Sequence, residues 1–249
     1  MGGHAVAQSQ PGYTYGILAP VGSMPEIFRP DAAGAFSSKD LLPVCRVAVN
    51  VTTLVVSNDF PAKNLKEFIE YCRKKPGVKY GHTGRGNATH LVGADLALLE
   101  NLKMQDVPYQ GDAKVAAALL GGQLKVGIST LPGVLAHIKA GTMRGIAVYL
   151  PERVAEIPDV PTFEEQGVKL RMPVAFNAMF APLNTPEAYL DIMDKAVAEA
   201  FKKPEFIASL NKIGSHPGYM SRKEFTRELD TYKKVANEFA EQFGLGRSK

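Results

Sequence analysis

The groups best suited to chemistry lie close together in Tyr80–Leu91. This stretch reads YGHTGRGNATHL, so three glycines are interleaved with hydroxyl, amide and imidazole side chains. A short strand-like piece precedes it and an apolar helical pattern follows it, which predicts a strand–loop–helix turn. The start of a helix leaves backbone N–H groups unpaired and carries partial positive charge, and both properties suit a carboxylate or a phosphate. The stretch therefore predicts an anion-binding loop, and a tight turn without a ligand is the alternative interpretation.

Other glycine-rich sites fit this loop poorly. The segment Gly84-Arg85-Gly86 lacks the third glycine of a dinucleotide fingerprint, and no Gly-Lys-Ser or Gly-Lys-Thr ending marks a P-loop. His82 and His90 lie on the loop and at the helix start with no obvious shared face for a third ligand, so the sequence predicts no metal site. Two interpretations of His90 stay open, which are packing or capping near the helix start and contact with the ligand.

No catalytic group is predicted. Ser129 and His137 lie on either side of a helix start, and the pattern Gly-x-Ser-x-Gly of a nucleophile elbow is absent from the sequence. Tyr109 lies at the edge of a strand, where packing and ligand contact are both open. The sequence predicts neither a catalytic residue nor a cofactor.

Helices and strands alternate around the loop. This alternation indicates a parallel sheet that is covered by helices on both faces. The predicted strands are Asp106–Gly111, Leu124–Ser129 and Gly145–Leu150. The predicted helices are Asn64–Arg73, Leu91–Asn101, Ala113–Leu120, Leu135–Ala140, Thr162–Gly167, Thr185–Phe201, Pro204–Leu210 and Ser221–Phe243.

Two long apolar runs bracket the alternating block. They are Val44–Ser57 and Val174–Pro182, and the first exceeds the length of a typical strand. Both are predicted to cross between two lobes. Residues 1–51 and 175–249 are assigned to lobe 1, and residues 52–174 are assigned to lobe 2, which carries the glycine-rich loop. A ligand is expected between such lobes, at the carboxyl ends of the parallel strands.

The composition excludes several classes of function. The 249 residues carry a net charge of +4, with Lys and Arg scattered among acidic residues, so no nucleic-acid partner is predicted. No apolar run reaches the roughly 18 residues of a membrane span. Met1–Ala7 has neither a charged nor an apolar segment, so no signal peptide is predicted in this chain, which taken alone favours the cytoplasm. Cys45 and Cys72 lack metal-type spacing and are predicted to be free thiols, buried or half-buried, while a disulfide between them stays open because it requires Cα atoms that lie close together.

Several short strings, in their order and spacing, resemble the Bug family, the TctC-like periplasmic receptors of tripartite tricarboxylate transporters. The strings are GHTGRGNATHL at 81–91, VPYQG at 107–111, LLGGQ at 119–123, HIKAG at 137–141, PDVPT at 158–162 and FAP at 180–182. The similarity covers nearly the whole chain. The ordered set carries the resemblance, because no single string is specific.

This resemblance implies an α/β fold of two lobes, of the class II periplasmic binding-protein type, with parallel-type sheets and two crossing strands. It implies a solute-binding receptor in the periplasm, a monomer that holds a small carboxylate-bearing ligand and delivers it to a membrane permease. The loop Thr83–His90 would bind the carboxylate through backbone N–H and hydroxyl groups. The residues expected at the ligand are Thr83, Gly84, Gly86, Asn87, Ala88, Thr89, His90, Tyr109 and Ser129.

The chain departs from the family pattern in two places. The family begins with a signal peptide, a strand, a glycine-bearing loop and a helix, and the resemblance starts only after them, so the first lobe is expected to be truncated. Many relatives carry an aspartate just before the equivalent of Thr130-Leu131-Pro132, where this chain has Ser129. An amino-acid ligand is therefore disfavoured, whereas a mono- or dicarboxylate, an aromatic acid or an amide stays open. The alternative function is a cytoplasmic enzyme or a ligand-sensing module that uses the same α/β cleft.

Overall fold

The β-strands form two separate sheets, and each sheet belongs to its own unit of the chain. The computed structural model describes residues 2–28, 36–212 and 215–244. The chain divides into unit 1, which is Met1–Asn50 with Ala175–Lys249, and unit 2, which is Val51–Val174. The division expected from the sequence places the first boundary one residue later and the second at the same point.

The secondary structure alternates most regularly in unit 2. The strands in chain order are β1 Gly16–Leu18, β2 Leu41–Val49, β3 Thr52–Ser57, β4 Val78–His82, β5 Met104–Pro108, β6 Val126–Thr130, β7 Met143–Tyr149, β8 Phe176–Pro182 and β9 His216–Met220. The helices are α1 Gly2–Ala7, α2 Pro20–Ser23, α3 Pro25–Phe28, α4 Leu65–Lys74, α5 Ala88–Leu99, α6 Asp112–Leu120, α7 Leu131–Lys139, α8 Glu187–Phe201, α9 Pro204–Lys212 and α10 Arg222–Gln242. A short 3-10 helix, Ser38–Asp40, precedes β2.

The sheet of unit 1 has the strand order β1-β8-β2-β9, and its described pairs are antiparallel. The expectation of a parallel sheet is therefore wrong for this unit. The helix–strand alternation that favours parallel pairing is confined to unit 2, whereas β1 and β2 come before that block and β8 and β9 come after it.

The run Val44–Ser57 is not one long strand. It contains most of β2 and the whole of β3, which are separated by Asn50 and Val51 at the unit boundary. Asn50 holds the end of β2 in unit 1, because its N–H donates to the Ala175 carbonyl at 2.7 Å and its Oδ1 accepts from Asn177 Nδ2 at 2.7 Å. The expected crossing strand is thus two strands with a break between them.

The sheet of unit 2 is mixed, with the strand order β5-β4-β6-β3-β7. β4 pairs in parallel with both β5 and β6, whereas β3 is antiparallel to β6 and β7. The carboxyl ends of β4, β5 and β6 therefore lie at one edge of the sheet. That edge is where ligands bind in most open α/β sheets.

Helices cover both faces of the unit 2 sheet. α4 begins where the Asn64 side chain accepts the Glu67 N–H at 2.9 Å, and it buries Phe68 in the cluster on one face. α6 and α7 contribute Val115 and Val134 to the cluster on the other face. Burying one such side chain contributes about 1.5–3 kcal/mol, so the two clusters hold the helices against the sheet.

Both cysteines are buried thiols, which is one of the states that the sequence predicts for them. Cys45 and Cys72 are free and buried, and burial raises the pKa of each thiol to about 12. Within the described ranges, none of the helices combines the length and the apolar character that a membrane-spanning helix requires.

The predicted helix Thr162–Gly167 is a turn. The Glu165 N–H donates to Thr162 Oγ1 at 3.0 Å, and the Thr162 N–H donates to Glu165 Oε2 at 2.7 Å. The chain therefore makes the reciprocal bonds of a capping box without continuing into a helix, because Gly167 follows after only one turn with φ of +86°.

Three further elements differ from the prediction. α7 begins at Leu131 rather than four residues later, because Pro132 fits the first turn of a helix. β9, His216–Met220, has no predicted counterpart, since it contains Pro and Gly and shows no alternation of burial. The stretch 21–42 is rich in Pro, Gly and Ser, which predicts a loop with one helical turn, whereas it contains α3 and most of α2; its residues 29–35 lie outside the described residues.

Candidate functional site

The loop between β4 and α5 carries the residues that the sequence predicts to bind the anion. β4 ends at His82, and α5 begins at Ala88 with Asn87 at its N-cap. Gly84 has φ of +133° and Gly86 has φ of +78°, and residues with a Cβ rarely adopt these conformations. The two glycines therefore allow the backbone to turn back between the strand and the helix.

Hydrogen bonds within the loop fix its shape. The Thr83 N–H donates to Thr89 Oγ1 at 3.0 Å, and the two threonine hydroxyls lie 2.7 Å apart. The Asn87 Nδ2 donates to the Thr83 carbonyl at 3.0 Å. Because the Asn87 side chain is turned toward Thr83, it makes no capping hydrogen bond to α5.

The first turn of α5 has backbone donors without acceptors. The N–H groups of His90 and Leu91 donate to the Asn87 carbonyl at 3.0 and 3.1 Å. Those of Ala88 and Thr89 have no acceptor in the part of the chain that the structure describes. Such donors at a helix start favour an anion, and the helix dipole adds partial positive charge at the same place.

Two buried histidines lie against this loop. The ring centroids of His82 and His90 are 4.7 Å apart, and both side chains are buried. The Gly84 N–H donates to Nδ1 of His82 at 3.2 Å, and the Gly86 N–H donates to Nδ1 of His90 at 3.4 Å. The Asp106 Oδ2 lies 3.3 Å from Nε2 of His82. The loop backbone is thus bonded to the imidazole of the strand end and to that of the helix start.

The expectation that His82 and His90 share no face with a third potential ligand is wrong. β4 and β5 are parallel neighbours, and Tyr80 is paired with Asp106, so the carboxylate reaches the end of β4. One ligand atom from each of the three side chains lies within 4.8 Å of the other two. These ligand atoms are close enough together for the three side chains to be considered as ligands of one metal ion.

The hydrogen bonds of the cluster do not suit a metal ion. A neutral histidine that accepts a hydrogen bond at Nδ1 carries its proton on Nε2, so neither nitrogen has a lone pair left for a metal. A metal would have to displace the bond from Gly84 or from Gly86. The three side chains therefore form a hydrogen-bonded group that supports the loop.

Burial keeps both imidazoles neutral near pH 7. It lowers the pKa of His82 below its usual value, and it lowers the pKa of His90 to about 4, with the positive charge that His82 gains on protonation adding to the effect. Burial opposes ionisation of Asp106, but the hydrogen bond from His82 and the charge of Arg85 hold the pKa of this carboxyl below its usual value. Arg85 is exposed and reaches Asp106 Oδ2 at 3.3 Å.

A second polar cluster lies where β6 meets α7. The Asp112 carboxylate, in the first turn of α6, accepts the Ser129 hydroxyl at 2.5 Å, the Thr130 N–H at 2.7 Å and the Thr130 hydroxyl at 2.9 Å. Ser129 is fully buried, so its hydroxyl is committed to Asp112. Within the described residues, no hydrogen bond joins Ser129 to the loop Thr83–His90.

Tyr109 adjoins the loop through its backbone. Its N–H donates to the His82 carbonyl at 2.9 Å. Its ring covers Gly81, since a Cβ placed on that glycine would lie 3.2 Å from the ring, and it packs against the core cluster that includes Val115. The geometry gives Tyr109 a packing role, and its contact with a ligand stays a prediction.

Two carboxylates of this edge, Asp106 and Asp112, are not among the site residues predicted from the sequence. They lie 24 and 17 residues away from their partners His82 and Ser129, so spacing along the chain does not connect them. A signal does exist, because Asp112 follows β5 and Asp106 lies two residues before the end of β5, close to the edge where the carboxyl ends of parallel strands meet. The roles of both residues become recognisable once β5 is placed beside β4 in the sheet.

A family model described as the tripartite tricarboxylate transporter family receptor, TctC, matches residues 1–245. The chain belongs to this family. The resemblance to the Bug and TctC receptors is thereby confirmed, and TctC is a family of receptors rather than of enzymes. A UPF0065 protein of Bordetella pertussis is 30% identical over 211 residues, which are 84% of this TctC chain and 65% of the relative. BugT of the same organism is 27% identical over 72% of this chain and 55% of its own length. The chain thus spans less than two thirds of these relatives.

Solved structures show that this TctC chain has the fold of periplasmic binding proteins. A structure described as a periplasmic transporter is 29% identical, with a TM-score of 0.82 over 97% of this chain and 82% of that one. An R. palustris protein solved with adipate is 24% identical, with a TM-score of 0.81 over 97% and 81%. MatC from Rhodopseudomonas palustris, with bound malate, is 20% identical, with a TM-score of 0.76 over 95% and 82%. The expected α/β fold class is confirmed.

Proposed function

We propose that this TctC chain is the periplasmic solute-binding receptor of a tripartite tricarboxylate-type transporter. It captures a small carboxylate-bearing ligand on the loop Thr83–His90 and delivers it, as a monomer, to a membrane permease. The observation that carries this proposal is the start of α5, where the N–H groups of Ala88 and Thr89 have no acceptor among the described residues.

The loop offers a carboxylate donors that need no salt bridge. Ala88 and Thr89 are neighbours, so their two N–H groups can serve the two oxygens of one carboxylate, and the half-buried Thr83 hydroxyl lies 2.7 Å from the Thr89 hydroxyl in the same loop. Hydrogen bonds to a charged acceptor contribute about 1.5–3 kcal/mol each. Arg85 is already paired with Asp106, so backbone dipoles rather than a free cation supply the positive potential.

The surroundings favour a plain acid over an amino acid. A ligand amine needs a carboxylate that is free to accept, and Asp112 already accepts three hydrogen bonds, one from Ser129 and two from Thr130, which leaves it about one of its four lone-pair positions. Adipate and malate, which two structurally similar proteins hold, are both dicarboxylates. We therefore place a dicarboxylate first among the ligands to test.

The test is a titration of the purified chain with malate, adipate and succinate, followed by calorimetry and by thermal unfolding. A ligand at 100 times its Kd stabilises the folded state by about 2.7 kcal/mol. Adipamide, which has the length of adipate but no charge, serves as the matched control and should give no shift. Stabilisation by the amide and the acid alike, or by neither, would contradict carboxylate capture.

A further inference from the structure

The glycine loop is held from inside by the two histidines. Gly84 and Gly86 both have positive φ, and both donate their N–H groups to imidazole Nδ1 atoms, at 3.2 Å to His82 and at 3.4 Å to His90. One acceptor ends β4 and the other lies in the first turn of α5. The turn that separates strand and helix is therefore bonded to both elements.

Asp106 determines whether His82 can act as this acceptor. An imidazole accepts at Nδ1 only when its proton resides on Nε2, and the Asp106 Oδ2 lies 3.3 Å from that nitrogen. A carboxylate beside one ring nitrogen fixes the tautomer and the orientation of the ring. Arg85 reaches the same oxygen at 3.3 Å from the exposed side of the loop. The contacts thus run from Arg85 through Asp106 and His82 to Gly84.

These contacts fix the part of the loop that leads into the first turn of α5. With the N–H groups of Gly84 and Gly86 committed to the rings, the backbone continues into α5 with the N–H groups of Ala88 and Thr89 unclaimed in the described chain. Among the described residues, the hydrogen bond that ties His90 to the loop is the one at Nδ1. The ring therefore serves the loop through Nδ1 alone.

We propose that His82, His90 and Asp106 are positioning residues that set the glycine loop for carboxylate capture. They act by accepting the Gly84 and Gly86 N–H groups and by fixing the tautomer that makes this possible. The inference rests on the proposed function for the ligand, whereas the tautomers and the amide bonds can be measured without any ligand.

The variants distinguish two roles of a histidine ring, which are accepting a hydrogen bond and filling space. His90→Asn places an oxygen near the position of Nδ1, so it should recover most of the affinity for malate that His90→Leu loses. Asp106→Leu removes the partner of Nε2, and Asp106→Asn keeps an acceptor there. The Leu variants should bind about tenfold more weakly than wild type, the loss expected for one hydrogen bond. His137→Leu, a histidine outside the loop, is the matched control and should bind as wild type does.

Imidazole nitrogen NMR on ¹⁵N-histidine-labelled chain gives the direct readout. At about pH 7.5, where unperturbed imidazoles are neutral, His82 and His90 should both show the Nε2–H tautomer. In Asp106→Leu the His82 signature should shift toward a tautomer mixture while that of His90 stays. The Gly84 amide should lose protection from hydrogen exchange in the same variant.

Several outcomes would overturn the proposal. They are an Nδ1–H tautomer at either ring in wild type, unprotected Gly84 and Gly86 amides in wild type, and Leu variants with wild-type affinity. If wild type binds no acid, the proposed function fails, and the tautomers and the exchange of the Gly84 amide still decide the positioning role. If wild type binds but the tautomers are wrong, the positioning role fails and the receptor function stands.

Discussion

α5 and α7 begin at the same edge of the unit 2 sheet, after the parallel neighbours β4 and β6, yet only one of them has a carboxylate of its own. At the start of α7, Asp112 accepts the Thr130 N–H and both neighbouring hydroxyls. At the start of α5, the N–H groups of Ala88 and Thr89 have no acceptor within the described ranges. The α7 start shows that a carboxylate fits this edge, and we propose the α5 start as the place where an external carboxylate binds.

The two starts also differ in what supports them. The α7 start is held by the side chain of Asp112, whereas the loop before α5 is held by two imidazoles that must stay neutral to accept from Gly84 and Gly86. A ring that gains a proton at Nδ1 becomes a donor and loses its bond to the loop. The comparison therefore predicts different responses to acid and to substitution at the two places.

Acid should destabilise the α5 side through His90, and this is the largest effect we expect. The pKa of His90 is lowered to about 4 in the folded chain, so the unfolded state binds more protons between that pH and the ordinary value near 6.5. Stability is therefore full above about pH 6.5 and falls as pH drops toward 4, by about 3 kcal/mol in all.

The measurement is urea unfolding at several pH values, compared between wild type and His90→Asn. The variant lacks the titrating group, so its free energy of unfolding should fall less between neutral pH and pH 4.5, by about 2 to 3 kcal/mol. Parallel pH profiles for the two proteins would mean that His90 is not buried and neutral. Asp112→Asn should leave the His90-linked part of the profile unchanged.

Gly84→Val should weaken dicarboxylate binding by about 100-fold, because two charge-assisted hydrogen bonds depend on the loop shape. A side chain there is strained at φ of +133°, and its Cβ would lie 3.0 Å from Asn87 Nδ2. Gly122→Val is the control, since its φ is +74° with no atom near its Cβ. Calorimetry should show wild-type affinity for Gly122→Val. Wild-type affinity in Gly84→Val as well would show that the loop is a turn without a role in binding.

Asp112→Ala should lower the free energy of unfolding by about 2 kcal/mol, because it leaves buried donors without an acceptor. The Ser129 hydroxyl is fully buried and the Thr130 N–H faces the lost carboxylate. Asp59→Ala is the control, as Asp59 is exposed and its pair with Lys125 lies at the surface. Denaturant unfolding measures both, and equal stabilities would show that the carboxylate does not hold the α7 start.

Asn87→Asp should give α5 the internal carboxylate that α7 already has. The aspartate cannot donate to the Thr83 carbonyl as Asn87 does at 3.0 Å, so it should turn toward the helix start and accept from the first-turn N–H groups. We expect a gain in stability of up to about 1 kcal/mol and a loss of dicarboxylate affinity of about tenfold. Asn87→Ser, a neutral cap, should cost less affinity, and tighter binding in the aspartate variant would contradict the comparison.

Local chemistry accounts for the parts that the sequence predicts well. The loop Tyr80–Leu91 is recognisable as a strand–loop–helix turn because glycine and hydroxyl residues separate a strand-like run from an apolar helical run. α4 is predictable because Asn64 and Glu67 cap it. Each of these features depends on residues within a few positions of each other, so no knowledge of the fold is needed.

The missing parts depend on contacts between distant segments. The run Val44–Ser57 is uniformly apolar, and only the separate partners of β2 and β3 reveal the break at Asn50. β9 has no pattern of its own and exists by pairing with β2. Asp106 and Asp112 reach the site from β5 and α6, so their roles appear only once the order of strands in the sheet is known.

The most direct test of the central claim is the backbone amide NMR of the labelled chain during titration with the tightest-binding dicarboxylate. The amides of Ala88 and Thr89 should show the largest, saturable shifts, since hydrogen bonds to a carboxylate form there. The Thr130 amide should stay unchanged, because Asp112 already occupies it at 2.7 Å. Unmoved Ala88 and Thr89 amides in the presence of bound acid, or equal shifts at Thr130, would contradict the account.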